Sequence, residues 1–305
     1  MSSIAPSSTA ATTTPTGTTP TGTKPTGIDS TPAVRSRLGR EGLLALLGKA
    51  LILLVALFLT LGPVVWTLWV AFTPVDESGH HTLSLAAFKD VFTKVDVWRL
   101  FWNSILVTGL SAVGQMFTAA LAGYAFARLS FKGREWLFGL ILATMMIPMQ
   151  VTIVPVFMLI RGMGLSDTLL ALILPALPTA FGTFLMRQYF MNIPESLAEA
   201  AQIDGASPWR VFWKIYLPLA TPGLAIVGIL AFNGIWNEFF RHLIMTISEQ
   251  NFTLPLGLVS LQGQLGTGSM STVLAGVVLS MIPALIVFIF GQRPLREGLT
   301  AGSVK

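Results

Sequence analysis

Residues 250 to 292 contain no Asp, Glu, Lys or Arg, and shorter uncharged apolar runs recur at 51–72, 100–127, 136–160, 168–186 and 215–237. One helical crossing of a bilayer takes roughly 20 apolar residues. Each run is long enough, and a sixth span fits at 271–291. In hydrocarbon every backbone polar group must find a partner inside the structure, which a helix provides by itself. Barrel strands are shorter and alternate in polarity, whereas these runs are continuously apolar. The expected fold class is therefore an all-α integral membrane protein with six transmembrane helices. Composition agrees: 53% of residues are apolar and 11% charged, against about 25% charged in soluble proteins. With no Cys in the chain, disulfide and thiolate chemistry are excluded.

Six crossings place both termini on one side, and Lys and Arg indicate which. The termini, the 128–135 loop and the 187–214 loop hold 14 of the 19 basic residues. The opposite segments hold Lys89, Lys94, Arg99, Arg161 and Arg241, together with Asp76, Glu77, Asp90, Asp96, Asp167 and Glu249. Both termini are thus expected in the cytoplasm of a bacterial or archaeal cell. The net charge of +5 follows from this topology and calls for no nucleic-acid partner. No cleavable signal is visible, and the first apolar run, starting near Leu43, is long enough to remain as an anchor.

Three regions follow. Residues 1–34 form a Thr/Pro/Gly-rich tail with the near-repeats PTGTT, PTGTK and PTGI. It holds too few apolar side chains to offset its ordering entropy, so it is expected to be disordered. Residues 35–292 are the membrane domain, entered through Arg35, Arg37 and Arg40 at the lipid headgroups. Residues 293–305 are a C-terminal tail. Within the membrane domain, residues 75–100 predict a short interfacial helix on the outer side, rich in Phe and Trp. His80 and His81 adjoin each other there, but a metal site needs a further ligand.

Residues 194–218 are polar and amphipathic inside this apolar chain. Pro194 suits a helix start, Glu195 and Glu199 suit its dipole, and Gly205 suits its left-handed end. Ser207 and Pro208 then open a second helix, whose Trp209, Phe212, Trp213 and Tyr216 fall on one stripe, until Pro218 stops it. An amphipathic hairpin resting on lipid is one reading. The acidic first helix, with Glu195, Glu199 and Asp204, fits a protein partner with a basic cleft better than anionic headgroups.

Residues 199–218 read EAAQIDGASPWRVFWKIYLP, with E-A-A, three residues, G, nine residues and I-x-L-P. This pattern resembles the loop by which permease subunits of ATP-binding-cassette (ABC) importers dock on their ATPase. FGTFLMRQYFMNIPESLAEAAQIDGAS, ARLSFKGRE, WNEF at residues 236–239 and the ending GLTAGSVK extend the likeness to carbohydrate-type permeases akin to the maltose importer. It covers roughly residues 43–305. The resemblance implies a type I importer transmembrane domain with a cytoplasmic coupling helix. It implies a second permease subunit, an ATPase dimer carrying the ATP and Mg, and an extracytoplasmic solute-binding protein. Glu199, Ala200, Ala201, Asp204, Gly205, Ala206 and Ser207 are then the coupling residues, and Gly298, Leu299, Thr300 and Gly302 a C-terminal contact with the ATPase.

Polar residues within spans are functional candidates. Asn233, Trp236, Asn237 and Glu238 suggest a substrate pathway, since amides bond hydroxyls and an indole face stacks on a sugar ring. The same residues also serve interhelical hydrogen bonds. Glu238 and Arg241, three apart, suit an ion pair, while Asn103 and Gln115 suit packing. Ala119, Ala120, Ala122 and Gly123 offer a close-packing surface, and prolines at 148, 155, 175, 178, 222 and 283 can kink helices. An ion-coupled carrier or channel is the rival reading, but ionisable groups in the spans are confined to Glu238 and Arg241. An intramembrane enzyme would need paired aspartates, Ser–His or clustered metal ligands. The chain has no G-x-x-x-x-G-K-[ST] loop, so ATP is expected only on a partner. The resemblance implies a di- or oligosaccharide as cargo, with glycerol-phosphate-type polyol esters as the alternative.

Overall fold

The computed structural model describes residues 40–75, 79–263 and 268–301, with residues 40, 41, 43, 44 and 293–301 as backbone alone. The tail 1–34, Arg35, Arg37 and Gly302 lie outside the described residues. The elements are α1 (Arg40–Phe72), α2 (Ala86–Lys94), α3 (Val97–Arg128), α4 (Arg134–Thr144), α5 (Met149–Gly162), α6 (Leu169–Ala176), α7 (Ala180–Met191), α8 (Ser196–Ile203), α9 (Pro208–Leu219), α10 (Thr221–Trp236), α11 (Phe240–Met245) and α12 (Met270–Ala301). No strand occurs among the described residues, and one isolated bridge joins Val75 to His81. Contacts divide the chain into residues 1–58 and 59–305. The described part of the first unit is the opening of α1, whose side chains from Ala45 to Phe58 are all exposed.

The six apolar runs become helical, but only three as continuous helices: Ala45–Phe72, Val97–Arg128 and Met270–Gln292. The others break, α4 from α5 by 103°, α6 from α7 by 42° and α9 from α10 by 73°. Counting each bent pair as one span gives six. Proline explains where the breaks fall. It lacks an N–H, so a carbonyl of the preceding turn loses its helical partner. Pro148 is extended, at ψ 138°, as the cap of α5. Pro178 lies in the gap before α7, and Ala220 separates α9 from α10 between Pro218 and Pro222. Pro218 does not end the second helix of the loop as expected. The helix runs on through Leu219 and the chain turns at Ala220.

Capping defines the other starts. The Asp96 carboxylate accepts from the Arg99 N–H at 3.2 Å, Thr168 from Ala171 at 3.3 Å and Thr179 from Gly182 at 3.1 Å. These bonds satisfy N–H groups that have no partner in the first turn. Among the described residues of the hydrophilic 75–100 segment, α2 is a separate helix, while residues 97–100 already open the long α3, which carries Trp98 and Trp102.

Helix α3 is the spine of residues 59–305 and packs most extensively on α7 and α10, while α10 also packs on α12. In lipid such packing rests on close contact between small residues. Ala119, Ala120 and Gly123 are buried at the α3–α7 crossing, and Ala122 is half-buried. Three apolar clusters result. One gathers Val107, Ile153, Leu172 and Met245, a second Val91, Leu100, Trp236 and Leu254. A third joins Ala119, Met186 and Phe190 to Ala198, Phe212 and Tyr216 of the 194–218 loop. That loop is therefore built into the core of the bundle.

Candidate functional site

The 194–218 segment forms a helix, a glycine turn and a second helix. Helix α8 ends in a paired closure: the Gly205 N–H donates to Gln202 O at 3.0 Å and the Ala206 N–H to Ala201 O at 2.9 Å. This six-to-one and five-to-two pattern needs a left-handed residue after the cap, and Gly205 supplies it at φ 79°. Ser207 then accepts from the Arg210 N–H at 3.3 Å, with Pro208 in the first position of α9. The local chemistry read from the sequence is realised in this turn.

Burial sorts the residues of this hairpin, the candidate coupling residues among them, into two sets. Ala198 is buried, and Ala201 and Ala206 are half-buried against the third cluster, so they form the base of the hairpin. Glu199, Ala200, Asp204, Gly205 and Ser207 are exposed. Ile203, a residue the sequence reading passed over, is 86% exposed beside them. Its only signal was an isolated aliphatic between Gln202 and Asp204. The exposed tip thus combines two carboxylates with a small apolar surface.

The aromatic residues of α9 do not share one face. A π-helical stretch, Phe212–Tyr216, widens the turn. Phe212 and Tyr216 are buried against Tyr124, at ring distances of 5.0 and 5.3 Å, while Trp209 and Trp213 remain exposed.

Two arginines, also missed from the sequence, hold this end of the bundle. The Arg128 guanidinium, at the end of α3, donates to Phe190 O at 3.2 and 2.7 Å and to Ile193 O. It lies 3.9 Å from the Glu195 carboxylate and 5.1 Å from the centre of the Tyr216 ring. A cation on the last carbonyls of α7 answers both their unpaired oxygens and the negative end of the helix dipole. Arg187 donates to both Glu135 oxygens at 2.9 Å and to Phe126 O at 3.2 Å, with its guanidinium over Phe138 at 4.1 Å. The segments ARLSFKGRE and FGTFLMRQYF thus meet through Arg128, Glu135 and Arg187.

The candidate pathway residues separate. Trp236 is 1% exposed, its ring stacked on Phe232 at 5.6 Å with its N–H donated to Ser280 O at 3.0 Å. It is a core residue, contrary to the expectation of a free indole face. Asn233 and Asn237 are exposed and bonded to each other, Asn237 Nδ2 donating to Asn233 Oδ1 at 3.2 Å. Glu238 alone of the four lines a cavity of about 310 Å³, shared with Arg241, Gln115, Thr179, Phe181 and Leu230. Glu238 and Arg241 do pair, at 3.9 Å. Asn103 and Gln115 serve packing: Asn103 donates to Gln250 O and Phe252 O, and Gln115 to Ala176 O at 2.8 Å. Among the described residues no three His, Cys, Asp or Glu gather as metal ligands. Gly298, Leu299 and Thr300 lie in the backbone-only end of α12.

Residues 116–294 match the family described as binding-protein-dependent transport system inner membrane component. The arabinooligosaccharides transport system permease protein AraQ of Halalkalibacterium halodurans is 39% identical over 225 residues, 73% of this chain and 80% of that protein. The lactose transport system permease protein LacG of Rhizobium radiobacter is 32% identical over 259 residues, 83% of this chain and 94% of that protein. In three dimensions, a chain from the crystal structure of a bacterial ABC transporter involved in the import of the acidic polysaccharide alginate superposes with a TM-score of 0.74 and 25% identity. That superposition covers 86% of this chain and 99% of the other.

Proposed function

The chain belongs to the binding-protein-dependent transport system inner membrane components, and from that membership we propose that it forms half of the membrane passage of an ATP-driven sugar importer. Its partners are a second permease subunit, a separate ATPase dimer that carries the ATP and Mg, and an extracytoplasmic solute-binding protein. A di- or oligosaccharide is the cargo, in line with relatives named for arabinooligosaccharides and lactose.

The observation that carries the coupling assignment is the division of the 194–218 hairpin into a packed base and an exposed tip. A surface that passes force must be accessible to its driver and fixed to what it moves. Glu199, Ala200, Ile203 and Asp204 meet the first need. Ala198, Phe212 and Tyr216, buried with the α3 and α7 side chains, meet the second. The tip and the residues 293–305, with Gly298, Leu299, Thr300 and Gly302, then face the ATPase, and both termini lie in the cytoplasm. Lys and Arg weigh toward that side.

Glu199→Lys and Gly205→Pro test the reading in the assembled transporter. Glu199→Lys reverses a charge on the exposed tip. Gly205→Pro forces φ from 79° to about −65° and removes the N–H that closes α8. Both are expected to uncouple ATP hydrolysis from uptake with the protein still present in the membrane. Unimpaired uptake by both variants would refute the coupling assignment.

A further inference from the structure

Helix α9 carries a second exposed surface, opposite in chemistry to the tip formed by α8. Its inner side, Val211, Phe212 and Tyr216, is buried in the third cluster. Trp209, Arg210, Trp213 and Lys214 are exposed. Residues four apart lie on one face of a helix, so the two indoles run along one edge of the outer side and the two cations along the next. Trp209 is 58% and Trp213 40% exposed. Their rings meet edge to face with centres 5.7 Å apart, and Trp209 also stacks on the buried Phe212 at 5.5 Å. The indoles therefore form one ledge held by the core. Neither Arg210 nor Lys214 enters an ion pair among the described residues. No Asp or Glu occurs anywhere from residue 205 to residue 237.

Charge and position together identify what covers this face. A basic cleft that accepts Glu199 and Asp204 would repel Arg210 and Lys214, so the outer side of α9 does not share the partner of α8. Helices α9 and α10 are the two halves of one bent span, at 73° to each other. With α10 crossing the bilayer, α9 lies almost along its surface. Indoles favour that depth, with the apolar body toward the hydrocarbon and the N–H toward the headgroups. Lys and Arg beside them reach the anionic phosphates of the cytoplasmic leaflet. Resting on the importer reading above, we infer that the outer face of α9 is a binding surface for anionic lipid headgroups, which seats the coupling hairpin on the cytoplasmic leaflet. The acidity that disfavours lipid belongs to α8 alone. Held by the leaflet on one side and by Phe212 and Tyr216 on the other, α9 passes a push on the α8 tip into the bundle instead of letting the hairpin tilt away.

The absence of Cys allows a single nitroxide to report on this face. Trp213→Cys is labelled in the assembled transporter, with partner subunits freed of Cys. The complex is reconstituted in vesicles of phosphatidylcholine alone or of equal parts phosphatidylcholine and phosphatidylglycerol. Collision rates are compared for oxygen, which concentrates in lipid, and for a water-soluble nickel chelate present on both sides. In the mixed vesicles oxygen collisions are expected to exceed nickel collisions several-fold. Frequent nickel collisions in both lipids would overturn the lipid contact, and protection from both reagents would assign the face to a protein partner. Uptake per ATP hydrolysed is then measured without the label. The parent transporter is expected to gain several-fold from phosphatidylglycerol, and Arg210→Gln combined with Lys214→Gln to lose that gain. Lys214→Arg, which keeps the charge, is expected to retain it. An equal gain in the double variant, or none in the parent, would overturn the role of anionic headgroups. The collision rates need no transport, so they decide the lipid contact even in a complex without ATP-driven uptake, an outcome that would remove the importer reading alone.

Discussion

Asp167 adopts φ 58°, the left-handed region that few side chains other than Asn and Asp enter readily. Its surroundings explain the choice. Oδ1 accepts from the Ile247 and Ser248 N–H groups, each at 2.9 Å, and Oδ2 from the Ser248 hydroxyl. The Asp167 carbonyl accepts from Asn251 Nδ2 at 2.6 Å, and its N–H donates to Met245 O at 3.1 Å. One residue thus ties the α5–α6 turn to the segment after α11. The Ser248 hydroxyl, followed by the two backbone donors, holds the carboxyl well below the usual carboxylate range. A lowered folded pKa contributes stability that is full above the unfolded value and is lost as pH falls through and below it. Asp167→Asn, which keeps the backbone conformation and removes the charge, is expected to cost about 1 kcal/mol or less at neutral pH, since solvent screens a carboxylate in this partly exposed position. Thermal unfolding in detergent should show the gap to the parent protein narrowing as the pH falls below the carboxylate range. A gap constant from pH 7 to pH 3 would mean that the charge contributes nothing.

At the scale of elements, close approach of backbones decides the packing. A Cβ on Gly123 would lie 2.6 Å from the Met186 Cβ and 2.8 Å from the Arg187 nitrogen. The second neighbour is backbone, so α3 and α7 must separate to admit even a methyl group. Gly123→Ala is expected to destabilise by about 1–3 kcal/mol. On the same helix, a Cβ at Gly109 meets nothing within 4 Å. Gly109→Ala should therefore be neutral or stabilise by up to about 1 kcal/mol. Equal melting temperatures for the two variants would contradict the tight crossing. The broken spans follow a related logic. Proline makes a break cheap, but prolines also stand inside α1, as Pro63, and α5, as Pro155, without ending either helix. Which proline interrupts a helix depends on whether neighbours take up the freed carbonyls.

For residues 59–305 as a whole, the proposed coupling depends on a stiff path from α8 to α3. Arg128 supplies one, joining the end of α3 to the carbonyls after α7, to Glu195 and to Tyr216. Arg128→Lys keeps the charge but not the planar fork that reaches several acceptors at once. Its expected phenotype is a several-fold fall in uptake per ATP hydrolysed, together with faster amide hydrogen exchange over residues 192–206. Faster exchange with unaltered coupling would make Arg128 a purely structural clasp.

The sequence by itself determined the helical membrane class, the six apolar runs and the chemistry of the 194–218 turn. Each depends on neighbours in the chain: span length on composition, the Gly205 closure and the Ser207 cap on residues a few positions apart. The family was legible there too, because the E-A-A–G–I-x-L-P spacing is local. Tertiary structure decided what depends on long-range contact. It assigned Ala201 and Ala206 to the base of the hairpin and left Glu199, Ala200 and Ile203 at its tip. It withdrew Trp236 into the core through Phe232 and Ser280. Arg128 and Arg187 looked like ordinary loop cations in the sequence, since their partners lie 52 to 67 positions away. Periodicity names the face a residue occupies, but only the packed helices say whether that face meets protein, a cavity or open surroundings.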